Sequence, residues 1–373
     1  MDYIDDFRNG KLARALAKTI AYEVDPLRHY KFMEFCGGHT HAIHRYGIPS
    51  LLPKNVEMIH GPGCPVCVLP MARIDNAIAL AQMANVILCS YGDMLRVPGA
   101  DKNSLLKTKA KGADVRMIYS VDDALSIAQK NPSKNVVFFA IGFETTTPPT
   151  AAALIRARQL ELKNFFVFCN HVLTPPALES ILQAQNNEID SIPLDGFIGP
   201  AHVSIVIGSQ AYEAVGKKYK KSIVISGFEP LDVLHSILML IRQLNENRCE
   251  VENQYKRAVN IEGNLKTQSI MAETLELRSS FEWRGLGWIP NSALQIKAPY
   301  RSFDAEYQFQ LPPSTGTEHK ACECGAILRG VKKPTDCKLF AKVCTPENPL
   351  GSCMVSSEGA CAAVYAYSRA DIH

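Results

Sequence analysis

The sequence predicts an α/β protein in which parallel sheets are covered by helices and a small C-terminal region is held together by metal. Two observations predict the sheets: short apolar runs alternate with helical patterns from residue 30 to about residue 240, and every glycine-rich motif follows an apolar run. A third observation predicts the metal-bound region. Six of the 12 cysteines lie between Cys322 and Cys361, in a segment whose small core needs a metal for stability.

Eight strands and six helices follow from these patterns. The strands are predicted at residues 32–36, 56–60, 86–90, 115–119, 136–141, 165–170, 196–199 and 223–226, and the helices at 10–24, 71–83, 121–129, 151–162, 177–185 and 231–244. Residues 137–144 resemble residues 222–229, because both are strands that run into Gly-Phe-Glu. This echo favours two similar lobes over one large sheet.

The patterns divide the chain into two lobes and a third region. The first lobe, residues 30–130, holds the CGGHTH and GPGCPVC loops, and the second lobe, residues 131–245, holds the GFETT loop. Residues 246–373 become polar and irregular before the cysteines begin. We expect the N-terminal helix within residues 1–29 to pack on this third region.

Charge and hydropathy argue against two classes of partner. Forty basic and 37 acidic residues leave a net charge of only +3, whereas nucleic-acid binders usually carry a clear basic excess. The first six residues include three acids where a secretory signal has basic residues. The apolar run at residues 233–244 is shorter than the roughly 20 residues of a bilayer span. We therefore expect a cytoplasmic protein that binds neither nucleic acid nor membranes.

Cysteines of cytoplasmic proteins are kept reduced, so 12 of them indicate metal ligation or thiol chemistry rather than structural disulfides. Cys64 and Cys67 form a CxxC motif after a strand and before a helix, where a helix N-terminus favours a thiolate. We favour a pair that cycles between dithiol and disulfide. The alternative is half of a zinc site, although the chain has no second CxxC motif.

Cys36 opens the CGGHTH segment after another predicted strand. The two glycines let the backbone approach a ligand, and His39 and His41 can lower the pKa of the thiol or take up protons. A thiolate is a soft ligand that suits low-valent iron. The sequence leaves this interpretation open against a buried strand-end cysteine with surface histidines.

Glu144 and Thr145 lie where a predicted strand turns into a helix. The threonine hydroxyls and backbone amides of such a turn can hold an anion, or they can cap the helix. His171 and His202 also follow strands, and we interpret them as core or rim histidines rather than ligands. No GxxxxGK[ST] or GxGxxG motif occurs, so no motif supports nucleotide binding.

Four C-terminal cysteines lie in separated segments rather than in the short CxxC knuckles of structural zinc sites. They are Cys324, Cys337, Cys344 and Cys361. A [4Fe-4S] cluster held by four thiolates is therefore at least as well supported as zinc. Cys322 and Cys353 are further candidate ligands that spacing does not exclude.

Together, these motifs resemble the HypD family of [NiFe]-hydrogenase maturation proteins, and the resemblance covers nearly the whole chain. The matching segments are CGGHTH, GPGCPVC followed by VLP, GFETT, FEPLD at 228–232, VENQY at 251–255, EWRGLG at 282–287 and VSSEGAC at 355–361. The resemblance implies two Rossmann-like lobes in a pseudo-symmetric arrangement plus a small C-terminal iron-sulfur domain.

The resemblance also implies a scaffold on which the Fe(CN)2CO group of the hydrogenase is assembled. The expected partners are a HypC-type small chaperone, a HypE-type cyanide donor and an electron donor protein. Cys36 matches the family's iron-binding cysteine, with a second thiolate supplied by HypC, and Cys64 and Cys67 match its redox pair. The ligands of its [4Fe-4S] cluster match Cys324, Cys337, Cys344 and Cys361.

The residues expected to act at the site are Cys36, His39, His41, Cys64, Cys67, Glu144, Thr145 and Glu358. Glu358, three residues before Cys361, is expected to tune the cluster or carry protons. One alternative function is a free-standing iron-sulfur thiol-disulfide reductase, which gives Cys36, His39 and His41 no role. Another is a zinc-stabilised binding protein without chemistry.

Overall fold

The computed structural model describes residues 5–186, 192–313 and 319–367. Its strands are β1 (Tyr30–Glu34), β2 (Val56–His60), β3 (Val86–Ser90), β4 (Asp114–Met117), β5 (Asn135–Gly142), β6 (Phe165–His171), β7 (Gly196–Pro200), β8 (Ser222–Ser226), β9 (Val251–Asn253), β10 (Leu275–Leu277), β11 (Ser280–Trp283), β12 (Gly287–Pro290) and β13 (Leu294–Ile296).

The helices are α1 (Gly10–Glu23), α2 (Gly37–Arg45), α3 (Ile48–Leu51), α4 (Pro65–Val68), α5 (Met71–Gln82), α6 (Leu105–Ala110), α7 (Val121–Lys130), α8 (Thr147–Gln159), α9 (Thr174–Asn186), α10 (Ala201–Ile207), α11 (Glu213–Tyr219), α12 (Pro230–Asn245), α13 (Leu265–Thr274), α14 (Ala305–Gln308), α15 (Cys324–Leu328) and α16 (Ala360–Tyr367). Capping boxes begin α7, at Ser120 and Asp123, and α12, at Glu229 and Asp232. In the described ranges no helix is both long and apolar enough to cross a membrane.

Two parallel sheets form the centre of the fold. The first sheet has the strand order β2-β1-β7-β8-β9, and the second has the order β4-β3-β5-β6. When the strands of each sheet are counted in their own chain order, both sheets begin 2-1-3-4. β5 and β6 are buried almost throughout, which is typical of a parallel sheet covered on both faces.

All eight predicted strands are present, and their ends differ from the prediction by at most two residues. The predicted α/β class with two parallel sheets is therefore confirmed. The agreement has a physical reason, because buried parallel strands appear in sequence as continuous apolar runs between helical periods.

The predicted division of the lobes at residue 130 does not match the strand order. The second sheet consists of strands from a continuous stretch, residues 86–171, which is inserted between β2 and β7 of the first sheet. A boundary at residue 130 therefore separates β3 and β4 from β5, although β5 pairs with β3 in the same sheet. Local patterns predict strands, but they do not show which strands pair.

The Gly-Phe-Glu echo does not mark equivalent strands. It follows β5, the third strand of the second sheet in chain order, and β8, the fourth strand of the first sheet. The two sheets thus share their strand order, but the Gly-Phe-Glu identity does not show which strand of one sheet is equivalent to which strand of the other.

The N-terminal helix packs against α12, which covers the first sheet, and not on the C-terminal region as the sequence predicts. α1 lies along α12, and its buried residues Ala13 and Ile20 share a hydrophobic cluster with Ile237 and Ile241. Arg242 also forms an ion pair with Glu23. The periodicity of α1 indicates an apolar face, but not the surface that the face covers.

The region after residue 245 is not a separate module. β9 adds to the first sheet, while α13, β13 and α14 pack against α8 and β6 of the second sheet. Among the described residues, those that line the cavity of the C-terminal cysteines all lie within residues 322–361. One continuous hydrophobic cluster joins all three parts, including Phe35 of the first lobe, Phe139 of the second, and Ile327 and Leu328 beside Cys324.

Candidate functional site

Four loops meet at the carboxyl end of the first sheet. The CGGHTH segment follows β1 and forms the start of α2, and the GPGCPVC segment follows β2 and forms α4. β7 leads into α10, and β8 leads into Gly227 and Phe228. Parallel strands end at the same edge of a sheet, and in open α/β folds this edge is the usual ligand site.

The sulfur of Cys36 is nearly buried at this edge, with 2% of the residue exposed. Its Sγ lies 3.6 Å from Nδ1 and 3.7 Å from Nε2 of His202. Burial raises the pKa of the Cys36 thiol well above its usual value, and the carboxylates of Glu358 and Glu34 raise it further. Backbone amides at the start of α2 oppose the shift. The thiol is therefore held in its neutral form.

Glu34, at the end of β1, organises the residues around Cys36. It is fully buried, and its Oε2 accepts the Cys36 N–H at 2.9 Å. Its Oε1 accepts the Thr40 hydroxyl and lies 2.8 Å from His60 Nδ1. The Nε2 atoms of His60 and His44 are 2.8 Å apart. A buried carboxylate with several hydrogen-bond partners fixes the start of α2 and so the position of the thiol.

His39 builds an aromatic stack beside Cys36. Its ring stacks on Phe228 with centroids 4.6 Å apart, and His202 stacks on the same phenylalanine at 5.0 Å. His39 Nε2 lies 2.9 Å from the carbonyl oxygen of Gly227. Burial lowers the pKa of His39, so this imidazole is neutral. The His39 ring therefore supplies no positive charge to Cys36, whereas the backbone amide of His39 does lower the pKa of that thiol.

His41 faces the C-terminal helix. Its Nε2 lies 2.8 Å from the Tyr367 hydroxyl of α16, and the two rings meet edge to face. Burial and the charge of Arg45 lower the pKa of His41. His41 is therefore also uncharged near neutral pH, and its role at Cys36 stays a prediction.

The CxxC motif packs directly against Cys36. Cys64 and Cys67 form a disulfide with Cα atoms 5.2 Å apart, and both residues are buried. A Cβ on Gly63 would lie 2.2 Å from the backbone nitrogen of Cys36, so only glycine allows this approach. The N–H of Gly37 donates to the carbonyl of Gly63 at 3.1 Å. Cys36 and the CxxC motif are therefore joined by a direct backbone contact.

Ser352 connects the CxxC motif to the C-terminal cysteines. Its hydroxyl donates to the carbonyl oxygen of Cys67 at 3.0 Å. The same Oγ lies 3.8 Å from Sγ of Cys324. The structure thus places the three groups of cysteines in one continuous series of contacts, from Cys36 through the CxxC motif to the C-terminal region.

Six cysteines line one small cavity, which we call the cysteine cavity. They are Cys322, Cys324, Cys337, Cys344, Cys353 and Cys361. Cys324 and Cys353 are joined by a disulfide. Burial raises the pKa of Cys361, and the sulfurs of Cys344, Cys322 and Cys337 raise it further because they lie close by. The four predicted cluster ligands are thus brought together, along with two further cysteines.

The cysteine cavity offers the donor type that an iron-sulfur cluster takes. Four thiolates hold a [4Fe-4S] cluster, and six cysteines line this cavity. One zinc ion needs its sulfurs within about 4 Å of each other, and among the described residues no group of three or more His, Cys, Asp or Glu is arranged to hold an ion. With the disulfide closed, the cavity has only about 20 Å³ of free space. A cluster therefore requires that the Cys324–Cys353 bond be open.

Glu358 lies close to the CGGHTH segment. A Cβ on Gly37 would lie 2.3 Å from Cβ of Glu358, so the two segments touch. Solvent reaches Glu358, yet the surrounding protein raises the pKa of its carboxyl, and the charges of Asp93 and Glu34 raise it further. The residue is thus adjacent to both Cys36 and the turn that carries Cys353.

Glu144 and Thr145 lie at the carboxyl end of the second sheet. Glu144 is buried, and its two oxygens accept the backbone N–H of Thr174 at 2.8 Å and its hydroxyl at 2.9 Å. Burial raises the pKa of Glu144 to about 7. Thr145 is exposed, and the N-cap of α8 is Thr146. The predicted helix-cap alternative therefore falls one residue later than Thr145.

A family model described as "HypD: Hydrogenase formation hypA family" matches residues 11–368. The chain belongs to the HypD family. A hydrogenase maturation factor HypD from Azotobacter vinelandii is 63% identical over 369 residues, covering 99% of this chain and 97% of its own. HypD from Cupriavidus necator is 59% identical, with 99% and 98% covered, and HypD from Escherichia coli strain K12 is 44% identical, with 99% of both chains covered.

Membership of the HypD family confirms the resemblance deduced from the motifs. Sequence reasoning missed four site residues: Glu34, His202, Phe228 and Ser352. Glu34 left a signal, because a glutamate inside an apolar strand indicates a buried carboxylate that needs partners. His202 was interpreted as a core or rim residue, but it is half-buried and contacts Cys36. Ser352 left no signal.

Proposed function

We propose that this chain is a hydrogenase maturation factor on which the Fe(CN)2CO group is assembled with HypC-type and HypE-type partners. The names of its relatives and of its family support the first part of the proposal. One structural observation supports the second part. Cys36, the CxxC motif and the cysteine cavity lie in contact at the carboxyl end of one sheet.

Cys36 binds the iron that is being assembled. A thiolate is a soft donor that suits low-valent iron carrying cyanide and carbonyl, and a second thiolate comes from the HypC-type partner. Burial and two neighbouring carboxylates keep the empty thiol protonated. The incoming iron displaces this proton. Burial lowers the pKa of His202 to about 4, so this ring, whose nitrogens lie within 3.7 Å of the sulfur, stays neutral beside the site.

Cys64 and Cys67 supply electrons beside this iron site. The two thiols give up two electrons and two protons when they close to the disulfide, and the disulfide takes up two electrons and two protons when it is reopened. Cys324, Cys337, Cys344 and Cys361 would hold a [4Fe-4S] cluster, which supplies electrons singly. Glu358 is placed beside Cys36 to carry protons, since its raised pKa brings its titration closer to neutral pH.

The roles of His39 and Glu144 follow from their contacts. His39 holds Phe228 and thereby His202 against Cys36, as the stacked rings indicate. Burial raises the pKa of the buried Tyr212, and the charge of Glu144 raises it further. Glu144 therefore affects Tyr212, although it lies on the other sheet.

Infrared spectroscopy of the chain co-purified with its HypC-type partner tests the proposal. We expect cyanide and carbonyl stretching bands in the wild-type complex, and their loss in Cys36→Ala. The free-standing reductase predicts no such bands and unchanged disulfide reduction in Cys36→Ala. Metal and sulfide analysis of anaerobically purified protein separates both from a zinc protein, which would contain zinc without iron or sulfide.

A further inference from the structure

Ser352 contacts two different sulfur sites and is itself fully buried, with 0% of its surface exposed. Its Oγ lies 3.0 Å from the carbonyl oxygen of Cys67 and 3.8 Å from Sγ of Cys324. Its own carbonyl oxygen is 4.0 Å from Sγ of Cys67. One side chain is thus placed between the Cys64–Cys67 bond and the Cys324–Cys353 bond.

Water cannot take the place of this hydroxyl. Cys67 is 0% exposed and Cys324 is 2% exposed, so the contacts lie in a dry part of the protein. A carbonyl that loses its only donor in such surroundings is left unsatisfied, which costs more than the same loss at the surface. The turn is also tightly packed, because a Cβ on Gly351 would lie 2.6 Å from Sγ of Cys322. Ser352 therefore cannot shift to follow either partner.

A serine hydroxyl has one proton to donate. While Cys324 is bonded to Cys353, its sulfur is a poor partner, and the proton is directed to the carbonyl of Cys67. When that bond opens, the released sulfur of Cys324 becomes a second hydrogen-bond partner for the same Oγ. The strength of the bond to Cys67 then depends on the state of Cys324.

We propose that Ser352 is a positioning residue that couples the state of Cys324 to the disulfide equilibrium of Cys64 and Cys67. The proposal rests on the redox role proposed above for this pair. The pair opens by taking two electrons and two protons from a dithiol, which closes to its own disulfide. In the structure the bond from Ser352 to Cys67 is made with the pair closed, and in this proposal the bond stabilises that closed form, so that competition from a released Cys324 favours the dithiol.

Two variants isolate the coupling. Cys324→Ala and Cys353→Ala both remove the second disulfide, but only Cys353→Ala leaves a free sulfur beside Ser352. The full-length chain is equilibrated with mixtures of reduced and oxidised dithiothreitol, alkylated, and analysed by mass spectrometry for the Cys64–Cys67 bond. We expect Cys353→Ala to need about two- to tenfold less reduced dithiothreitol for half-opening than Cys324→Ala, the range that one hydrogen bond corresponds to.

The same comparison in a Ser352→Ala background decides the role of the hydroxyl. There the difference between Cys324→Ala and Cys353→Ala should disappear, whereas Ser352→Thr, which keeps a hydroxyl, should retain it. Ser356→Ala is the matched control, because this buried serine of the same turn contacts the N–H of Glu358 instead. It should leave the difference unchanged. Melting temperatures establish that each variant is folded.

The proposal is overturned if Cys324→Ala and Cys353→Ala still need different amounts of reduced dithiothreitol when the Ser352 hydroxyl is absent. It is also overturned if they need the same amount when the hydroxyl is present. Either result leaves the redox role of the pair intact, provided that the wild-type pair opens and closes reversibly. A wild-type pair that does not respond to dithiothreitol at all overturns the redox role, and the coupling with it.

Discussion

The two sheets share a strand order, but their carboxyl ends hold different kinds of residue. The first sheet ends in thiols, stacked imidazoles and glycines that allow close approach. The second ends in polar groups engaged by their neighbours, since both oxygens of Glu144 accept from Thr174 and His171 Nε2 lies 2.9 Å from the Thr150 hydroxyl. Topology thus positions a crevice, and the side chains decide its chemistry.

The largest expected difference between the sheets concerns their strand-end cysteines. Cys36→Ala should reduce hydrogenase maturation at least about 100-fold, because alanine has no sulfur to bind iron. Cys89→Ala, at the end of β3 in the second sheet, is the matched control. It should retain maturation and lower the free energy of unfolding by about 1 kcal/mol, as expected for a small buried side chain. Hydrogenase activity in a complemented deletion strain measures maturation, and urea unfolding measures stability. Equal hydrogenase activities of Cys36→Ala and Cys89→Ala would contradict the expected difference between the two sheets.

The buried carboxyl of the second sheet should respond to pH. Its folded pKa of about 7 exceeds the ordinary 4.5, so Glu144 favours the folded state at low pH, and this contribution is lost as the pH rises from 4.5 to 7. Glu144→Gln stays neutral and lacks this loss. Relative to the variant, the wild type should lose roughly 3 kcal/mol of stability over that range. Urea unfolding at several pH values measures this loss. If the unfolding free energies of the wild type and of Glu144→Gln change in parallel with pH, the raised pKa of Glu144 is contradicted.

The two phenylalanines of the Gly-Phe-Glu echo should differ in function but not in stability. Phe228 stacks on both His39 and His202, whereas Phe143 packs near Trp283 with ring centroids 5.9 Å apart. Replacing either by leucine should cost about 1 kcal/mol. Only Phe228→Leu should also reduce maturation several-fold, because His202 would lose its support beside Cys36. A similar loss in Phe143→Leu would show that the aromatic stack has no special role.

The smallest effects are expected on the outer helices. Arg242 makes two hydrogen bonds to Glu23 across α12 and α1, and Arg156 makes one to Asp122 across α8 and α7. Arg242→Ala should cost about 0.5–1 kcal/mol, and Arg156→Ala less than about 0.5 kcal/mol, because the second pair is the more exposed. Both effects should shrink in high salt. A salt-independent loss would point to packing instead.

The strands were predictable because burial on both faces leaves a local record in the sequence. β3, for example, is five consecutive buried residues between helical periods. Pairing leaves no such record. β1 pairs with both β2 and β7, although residues 86–171 lie between them in the chain. The division into lobes and the position of α1 depended on such distant contacts, and both expectations were therefore wrong.

The site was predictable where residue type carries the chemistry. Cys36, Cys64 and Cys67 stand out as thiols after strands, and the structure brings them together. Residues that act through position were not predictable. Phe228 resembles any aromatic after a strand, and Ser352 is an ordinary serine until Cys67 and Cys324 are placed on either side of it.

The insertion of one sheet within the other has a consequence for synthesis on the ribosome. The strands of the second sheet emerge together and can pair while the first sheet still lacks β7 and β8. The backbone N–H of Lys31 donates to the carboxylate of Asp195, which is synthesised 164 residues later. The groove around Cys36 is thus completed only after His202 has been added, 166 residues after the thiol. Until then the nascent chain carries this thiol without the imidazole that contacts it.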